Sequence, residues 1–304
     1  MPLLASLSRR WRLPAAASPE ALPPGTLLGN VRIERRVARG NTATVYAATD
    51  NQGTLVAVKA LHHLGRDIES EDAAREAFLQ AGERASQLVH PHVVRVLGGG
   101  FTHGIAFLTM EWLPGSDLTR WTQPGRLLPD AEVLAIAADL AEALDHAHRQ
   151  GVVHRDVKPA NAVYDPAARR VVLTDFGLAR EADAEASRSG AMLGSPVYMA
   201  PERLAGHPAD ARSDLYALGV LLFELLAGRP PFESPSLGAL LRAVASEPPP
   251  RLQDLRAAAP GADALDELLA PLLAKDPEER PADARAWANQ ARVQRLWLTA
   301  PPAG

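Results

Sequence analysis

The segment His154-Arg155-Asp156-Val157-Lys158-Pro159-Ala160-Asn161 decides how this chain of 304 residues is interpreted. It follows a periodic helical segment and a short apolar run, so its polar residues are expected on a loop. A carboxylate at Asp156 can accept a hydrogen bond from a hydroxyl group, and the amide oxygen of Asn161 can ligate a hard cation. Lys158 can place a positive charge on a migrating phosphate. A solvated charged loop is the alternative interpretation, but so many fixed positions rarely coincide by chance.

A second polar segment, Asp175-Phe176-Gly177, follows the apolar residues 171–173, which are predicted to form a strand. An aspartate at the end of a strand, next to a conformationally permissive glycine, suits a metal-binding turn. Taken alone, the tripeptide would be better explained as a plain hairpin turn. Its position 19 residues after Asp156 favours the metal-binding interpretation.

Lys59 ends the run Val56-Ala57-Val58-Lys59, which is predicted to lie in a strand. Alternation along a strand puts Lys59 on the same face as Ala57, and this face points inward. A lysine on an apolar face is costly unless it meets an anion, so Lys59 is predicted to have an anionic partner. The alternative is a lysine on an edge strand whose ammonium group reaches water.

The order of predicted elements divides the chain into a small sheet-rich part and a larger helical part. Strands are predicted at residues 31–37, 44–48, 55–60, 93–97 and 105–112, with one helix at 69–89. After a connection at Pro114-Gly115, helices are predicted at 130–149, 213–227, 262–273 and 282–297, although Pro271 weakens the end of the third. The predicted fold class is therefore α+β with two lobes. Its parts are a flexible leader at 1–25, an N-lobe at 26–113, a C-lobe at 114–297 and a frayed tail at 298–304.

The composition argues against several classes of function. The net charge of −4 makes nucleic acid a poor candidate for the main partner. The absence of cysteine excludes disulfides, thiolate catalysis and cysteine-ligated zinc, and it suits a reducing, cytoplasmic compartment. No uninterrupted apolar run reaches the roughly 18 residues of a transmembrane helix, so no membrane span is predicted.

The motifs resemble those of the eukaryotic-type (Hanks-type) serine/threonine protein kinases in their compact bacterial form. They are VAVK at 56–59, HRDVKPAN at 154–161, DFG at 175–177, GSPVYMAPE at 194–202 and SDLYALG at 213–219. The resemblance extends from about residue 27 to residue 297. A lysine at position 158, rather than an arginine, is the serine/threonine form. The resemblance implies a bilobal protein-kinase-like fold that uses ATP and Mg²⁺ and phosphorylates serine and threonine hydroxyls of protein substrates.

The resemblance also implies a role for each polar motif residue. Asp156 would be the catalytic base or the group that orients the hydroxyl, with Lys158 beside it. Asn161 and Asp175 would hold Mg²⁺, and Lys59 would hold the α- and β-phosphates of ATP.

A larger set of residues would enclose the nucleotide. Residues 111–113 would form a hinge that hydrogen-bonds adenine through backbone groups, and Met110 would lie at the back of the adenine pocket. The implied nucleotide-binding residues are Val37, Gly40, Val45, Ala57, Lys59, Met110, Glu111, Leu113, Asn161 and Asp175.

Further roles are implied around the segment that receives the substrate. Ser195 would lie in the loop that takes up the substrate hydroxyl. Glu202 would pair with Arg280, and Asp214 would hydrogen-bond the backbone of the catalytic loop. A phosphate on Ser187 or Ser189, within segment 178–200, could dock on Arg155 and order that segment; an unmodified segment is the alternative.

The glycine-rich loop of the family is only partly present. Of its three glycines, Gly40 remains, and Ala38 and Ala43 stand at the other two positions. Because a Cβ atom limits both positive φ and close backbone approach, the loop is expected to cover ATP with weaker phosphate contact.

The helix glutamate that pairs with the strand lysine in this family is also missing. The family register puts Ala81 at its position, and Glu83 or Glu76 would serve only if the register were shifted. Without such a carboxylate, Lys59 is predicted to stay unsatisfied until ATP arrives.

Three functions are compatible with these motifs. The first is an active protein kinase that phosphorylates proteins, including a second copy of itself in a homodimer. The second is a pseudokinase that binds nucleotide or acts as a scaffold, which the missing glycines and glutamate favour. The third is a small-molecule kinase, which would not need the segment SPVYMAPE to dock a protein chain.

Overall fold

A computed structural model describes residues 22–40, 42–62, 68–123, 125–176, 196–255 and 261–299 of the chain. Its architecture is α+β, with a sheet-rich N-lobe and a mostly helical C-lobe, which confirms the predicted fold class. No helix in these ranges is both long and apolar enough to cross a bilayer.

Six antiparallel strands form the sheet of the N-lobe. They are β1 (Leu27–Leu28), β2 (Val31–Arg39), β3 (Ala43–Asp50), β4 (Leu55–Leu61), β5 (Val96–Thr102) and β6 (Ile105–Glu111). Their order in the sheet is β1-β2-β3-β4-β6-β5. Along β4, Val56, Val58 and Ala60 are buried in the apolar core of the lobe, so the opposite face of the strand presents Ala57 and Lys59.

One long helix, α1 (Ile68–Ser86), packs on β5 and β6. Phe78 on this helix is buried against Ala106 and Leu108 of β6. After α1, the chain does not enter the sheet at residue 93 as predicted. Val93 instead forms a bridge with Leu173 of the C-lobe, and the strand of the sheet begins at Val96.

The C-lobe contains a small three-stranded sheet and a set of helices. The strands are β7 (Ser116–Asp117), β8 (Ala162–Asp165) and β9 (Arg170–Leu173), in the order β7-β8-β9. The helices are α2 (Asp130–Arg149), α3 (Pro201–Leu204), α4 (Ala211–Ala227), α5 (Leu237–Ser246), α6 (Leu252–Leu255), α7 (Ala262–Leu269) and α8 (Ala284–Thr299). Short 3₁₀ turns lie at Leu118–Trp121, Pro159–Asn161, Pro196–Tyr198 and Pro277–Glu279.

Helices α2 and α4 form the centre of the C-lobe. The apolar stripe predicted for residues 130–149 is buried, and α2 has the predicted bounds. Helix α4 begins at a capping box in which the Asp210 carboxylate accepts the backbone N–H of Ser213. It ends at Gly228, which adopts the left-handed conformation that favours glycine. Both signals fix the ends of a helix that is buried along most of its length.

Several element boundaries differ from the prediction. Helix α7 ends at Leu269 rather than 273, because the chain turns ahead of Pro271. Helix α5 was not predicted, although Ser236 caps its N-terminus by accepting the N–H of Ala239. Of the leader predicted for residues 1–25, the structure describes residues 22–25, where Leu22 N–H donates to the hydroxyl of Tyr46; residues 1–21 lie outside the described residues.

Candidate active site

The loop of residues 154–161 follows α2 and a left-handed glycine, Gly151. Within it, Arg155 has a φ of 73°, which is uncommon for a residue other than glycine. This conformation points two consecutive backbone N–H groups, those of His154 and Arg155, at the carboxylate of Asp214 at 2.8 Å each. The predicted contact between Asp214 and the catalytic loop is therefore confirmed.

His148 is a third donor to Asp214 that the sequence analysis missed. Its Nε2 atom lies 2.8 Å from Asp214 Oδ2, on the last turn of α2. The signal was present in the sequence, because His148 lies four residues after Leu144 and so continues the apolar stripe of the helix. A histidine on a buried helix face needs a hydrogen-bond partner, and the buried Asp214 is that partner.

The side chain of Asp156 lies at the centre of the loop. Its Oδ2 atom accepts hydrogen bonds from Lys158 Nζ at 2.7 Å and from Asn161 Nδ2 at 2.8 Å. Asn161 Nδ2 also donates to the backbone carbonyl of Asp156 at 2.8 Å. Because both bonds to the carboxylate from the described residues fall on Oδ2, its Oδ1 atom remains for another donor. The structure thus brings together the three residues predicted for catalysis.

A second set of bonds ties this loop to the residues before Asp175. The carbonyl of Asn161 accepts both the N–H and the hydroxyl of Thr174, at 2.8 and 3.0 Å. The buried imidazole of His154 bridges the same two segments. Its Nδ1 accepts the N–H of Asp156, so its Nε2 carries the proton and donates to the carbonyl of Thr174 at 2.7 Å. The ring of Phe176 packs against it edge-on, with 4.6 Å between ring centroids.

Lys59 forms an ion pair with Asp175 across the cleft between the lobes, with Nζ 2.8 Å from Oδ1. The prediction that Lys59 stays unsatisfied before ATP binds is therefore wrong. Asp175 itself has a φ of 67°, a left-handed conformation that turns its side chain out of the extended path of β9. Burial opposes ionisation of Asp175, but the Lys59 ammonium outweighs it and holds the pKa of the carboxyl below its ordinary value.

The helix carboxylates considered as partners of Lys59 lie elsewhere. Glu83 and Glu76 are both exposed on α1, and Gln80 donates to Glu76. Ala81, at the family position of the glutamate, is half-buried. Among the described residues, Asp175 is the ion-pair partner of Lys59.

An apolar cluster lies beside Lys59 on the same face of the sheet. Ala57 and Met110 are paired in the register of β4 and β6, and both pack with Val94, Val172 and Leu113. Val45 faces Lys59 across β3 and β4. These contacts bring together four of the residues predicted to line the nucleotide site: Val45, Ala57, Met110 and Leu113.

The connection between the lobes begins at Glu111. Its backbone N–H donates to the carbonyl of Arg95, so that group is occupied within the N-lobe. The Glu111 side chain accepts the N–H of Arg95 at 2.9 Å and lies 3.8 Å from Arg170. The hinge carbonyl of Glu111 and the backbone of Leu113 therefore remain the groups predicted to bind adenine.

The loop between β2 and β3 is a tight turn. Gly40 N–H donates to the carbonyl of Ala43 at 2.9 Å, and the ladder shows an irregularity between Arg36 and Ala38. Val37, at this irregularity, is exposed, whereas Ala43 is buried. Asn41, Gly177, Ser187, Ser189 and Ser195 lie outside the described residues, so the predictions made for them stay predictions.

The predicted pair of Glu202 and Arg280 is present and forms two parallel hydrogen bonds of 2.7 and 2.8 Å. Ser213 Oγ donates to the same carboxylate at 2.7 Å. Burial tends to raise the pKa of Glu202, but the donors Arg280 and Ser213 together hold it below its ordinary value. The pair fixes α3, which follows the segment 178–200 predicted to receive the substrate, to the rest of the C-lobe.

The oxygen donors of Asn161 and Asp175 suit Mg²⁺. The amide nitrogen of Asn161 faces Asp156, which turns its amide oxygen the other way. No group of three or more His, Asp or Glu side chains in the described ranges could hold a metal ion by itself. The two oxygen donors of Asn161 and Asp175 fit Mg²⁺, which is usually held by one or two protein carboxylates together with substrate phosphates.

Comparison with known proteins gives a consistent result. The family model described as "Protein kinase domain" matches residues 31–294. The chain is 36% identical to the serine/threonine-protein kinase PknJ of Mycobacterium tuberculosis over 89% of its length and 46% of that protein. It is 39% identical to the DNA damage-responsive serine/threonine-protein kinase RqkA of Deinococcus radiodurans, over 91% of the chain and 42% of that protein. The chain therefore spans less than half the length of these curated relatives.

A solved structure gives the same match at the level of the fold. The kinase domain of Mycobacterium tuberculosis PknI superposes with a TM-score of 0.70 at 32% identity, covering 90% of this chain and 100% of that domain.

Proposed function

The chain belongs to the protein kinase domain family, and we propose that it transfers the γ-phosphate of ATP to serine and threonine hydroxyls of proteins. The arrangement around Asp156 is the observation that carries this proposal. Its Oδ2 is held by Lys158 and Asn161, which leaves Oδ1 to accept the hydrogen bond of an incoming hydroxyl.

The transfer follows from this geometry. The hydroxyl oxygen forms a bond to the γ-phosphorus, the bond from that phosphorus to the β–γ bridging oxygen breaks, and the hydroxyl proton moves toward Asp156. Lys158, 2.7 Å from Asp156, supplies a positive charge next to the migrating phosphoryl group. Little covalent chemistry is required, so the catalytic contribution of the chain is mainly positioning and charge.

Mg²⁺ would be held by the amide oxygen of Asn161 and the carboxylate of Asp175. When bound, it supplies positive charge that offsets the phosphate oxygens. The low pKa of Asp175 supports this role, because the carboxyl is already ionised and ready to ligate a cation. Lys59, now paired with Asp175, would contact the α- and β-phosphates from the opposite side.

The nucleotide would lie against the apolar cluster around Ala57 and Met110. The adenine ring would pack between Ala57, Val45 and Leu113, and its edge would bind the carbonyl of Glu111 and the N–H of Leu113. Val37 and Gly40 would cover the phosphates from the turn between β2 and β3.

Protein hydroxyls are the proposed acceptors because the chain carries the segment Pro196–Tyr198, which packs on α4 and whose Tyr198 hydroxyl donates to Glu224, followed by α3 with its Glu202–Arg280 pair. Lys158 favours serine and threonine over tyrosine. We include autophosphorylation within a transient homodimer and a cytoplasmic location, where ATP and Mg²⁺ are abundant. A rate of self-labelling per molecule that rises with protein concentration would support transfer between copies.

A pseudokinase is the second candidate, and the alanines at positions 38, 43 and 81 favour it. The ion pair of Lys59 and the complete set of contacts around Asp156 favour catalysis. A scaffold has no physical need for a base, a phosphate-side lysine and two metal ligands that lie together.

Incubation with Mg²⁺ and γ-labelled ATP tests the proposal. The pure chain should label itself and a serine-rich test protein, and the label should appear as phosphoserine and phosphothreonine. Asp156→Ala should lower the rate at least about 100-fold, since general-base and orienting groups contribute about 10²–10⁴. Lys59→Met should also lower it.

Asp263→Ala is the matched control for the aspartate variant, because Asp263 is exposed on the surface of α7. It should leave the rate unchanged. ATP-dependent thermal stabilisation of the wild type without any transfer of label would instead establish the pseudokinase. Labelling that persists in Asp156→Ala would remove Asp156 from the mechanism.

A further inference from the structure

The chain contains only three lysines, Lys59, Lys158 and Lys275, among 32 basic residues. Each has a specific partner in the structure. Lys158 contacts Asp156, and Lys275 donates to the carbonyl of Val244 at 2.7 Å at the end of α5. Lys59 contacts Asp175. Lysine is thus confined to positions with a defined contact, and the partner of Lys59 differs from the helix glutamate expected for the family.

The ion pair of Lys59 and Asp175 is sheltered from solvent. The two side chains are 12% and 26% exposed, so the pair is screened less than a surface salt bridge. An amine buried to this degree needs a partner, since an unpaired ammonium group in a cleft is unfavourable. Asp175 is held in place from the C-lobe, because Thr174 is bonded to Asn161 and to His154.

Helix α1 packs on the sheet next to Lys59. Leu108 is the residue directly opposite Lys59 in the β4–β6 ladder. A Cβ atom added at Gly82 of α1 would lie 2.3 Å from Leu108 Cδ2, and one added at Gly99 of β5 would lie 2.6 Å from the same atom. Leu108 therefore occupies a socket that exists only because both positions are glycine.

We propose that Asp175 positions Lys59 in place of a carboxylate on α1, and that the described residues of α1 contribute to the site through their apolar packing on Leu108. The proposal rests on the function proposed above and deepens it. In this chain, control of the lysine would act through the position of Asp175 rather than through a movement of α1. The same carboxylate would then both place Lys59 before nucleotide binds and ligate Mg²⁺ afterwards.

Residue-resolved acylation of the lysines tests the proposal on the nucleotide-free protein in the presence of a chelator. A short pulse with an acetylating reagent is followed by mass spectrometry of the peptides that contain Lys59, Lys158 and Lys275. Contact with Asp175 shields the Lys59 amine from the reagent, so Asp175→Asn should raise acylation of Lys59 about three- to tenfold relative to Lys275, the range expected for loss of one partly buried ion pair.

Two variants of α1 are matched controls. Glu83→Gln and Glu76→Gln remove the only helix carboxylates proposed as alternative partners, and both should leave acylation of Lys59 unchanged. Asn tolerates the left-handed conformation of position 175, so Asp175→Asn keeps the local backbone. Asp175→Ser provides a second variant if the first does not fold, and a parallel rise at Lys275 identifies unfolding.

The outcomes separate this inference from the proposed function. Acylation of Lys59 that stays within twofold of wild type in folded Asp175→Asn or Asp175→Ser overturns the inference. A rise in Glu83→Gln or Glu76→Gln overturns it as well. Because the assay contains no nucleotide, a chain that shows the expected labelling but transfers no phosphate would retain the positioning role of Asp175 and lose the kinase activity.

Discussion

The two lobes hold their functional side chains by different means. In the C-lobe, the buried carboxylate of Asp214 accepts three hydrogen bonds, and the buried guanidinium of Arg280 donates five. In the N-lobe, Lys59 has one ion pair, and α1 is held by the apolar packing of Phe78 on β6 and of Leu108 between two glycines. Hydrogen bonds fix direction as well as distance, whereas apolar packing fixes mainly the separation of elements.

This difference explains where the chain departs from its family. The departures at positions 38, 43 and 81 all lie in the N-lobe, where a neighbouring contact can compensate for the change. In the C-lobe, loss of one partner would leave several buried donors or acceptors unpaired, which is costly. The comparison can be tested by disrupting each kind of attachment in turn.

Glu202→Gln should have the largest effect on stability. All five N–H groups of Arg280 are hydrogen-bonded, two of them to Glu202, and its side chain is 0% exposed. Removing the negative charge leaves a buried cation without its counter-ion, which should lower the free energy of unfolding by about 3 kcal/mol. Urea unfolding followed by circular dichroism measures it.

The control for this variant is a pair of the same chemistry whose carboxylate is exposed. Arg212 lies 3.2 Å from Glu278, whose side chain is 81% exposed. Glu278→Gln should change the free energy of unfolding by less than about 1 kcal/mol, as is usual for surface salt bridges. Equal losses for Glu202→Gln and Glu278→Gln would contradict the role assigned to the buried network.

Gly82→Ala should have an intermediate effect and tests the N-lobe attachment. The added methyl group would overlap Leu108, which cannot retreat because Gly99 leaves no more room on its other side. Overpacking of this kind costs about 1–3 kcal/mol, and the better helix propensity of alanine recovers about 1 kcal/mol. The net loss of about 1 kcal/mol should be accompanied by a lower rate of phosphate transfer.

Gly238→Ala separates packing from helix propensity. Gly238 also lies in a helix, α5, but a Cβ atom there would meet no atom within 4 Å. This variant should be more stable than the wild type by up to about 1 kcal/mol. If Gly82→Ala were stabilised to the same extent, Leu108 would not be held in a socket.

The sequence predicted the C-lobe part of the site better than the N-lobe part, for physical reasons. Asp156 and Asn161 lie on one local motif whose spacing already determines their contacts, whereas the contact of Asp214 and the Glu202–Arg280 pair were predicted from the family. The partner of Lys59 was not predictable in this way. It depends on how the two lobes meet, and no periodicity within α1 or β4 reports the position of Asp175.

The boundaries of helices and strands were likewise predictable only where the local sequence determines them. The bounds of α2 were predicted because an apolar stripe of 20 residues dominates its local signals. Val93 and Val94 have the composition of a strand, but they pair with Leu173 in the other lobe rather than with the N-lobe sheet. A strand signal identifies residues that can pair and does not identify the partner.

The contact between the two lobes at His90 should show the smallest effect, which is a dependence of the free energy of unfolding on pH. His90, just after α1, stacks on His146 of α2 with 5.1 Å between ring centroids, and its Nδ1 accepts the N–H of His92. Burial and these two imidazoles lower the pKa of His90 below 6.5, and the carboxylates of Glu142 and Asp139 only partly oppose them.

The folded chain therefore binds a proton at His90 less readily than the unfolded chain, so stability should fall as the pH drops below about 6.5. Relative to wild type, His90→Asn should reduce the loss in the free energy of unfolding between pH 7 and pH 5.5, because asparagine keeps the acceptor without titrating. His103→Asn, on the exposed turn between β5 and β6, should leave the profile as it is. Identical pH profiles for His90→Asn and wild type would mean that the contact between the lobes does not sense protons, and that its stability rests on the Val93–Leu173 bridge and the packing around it.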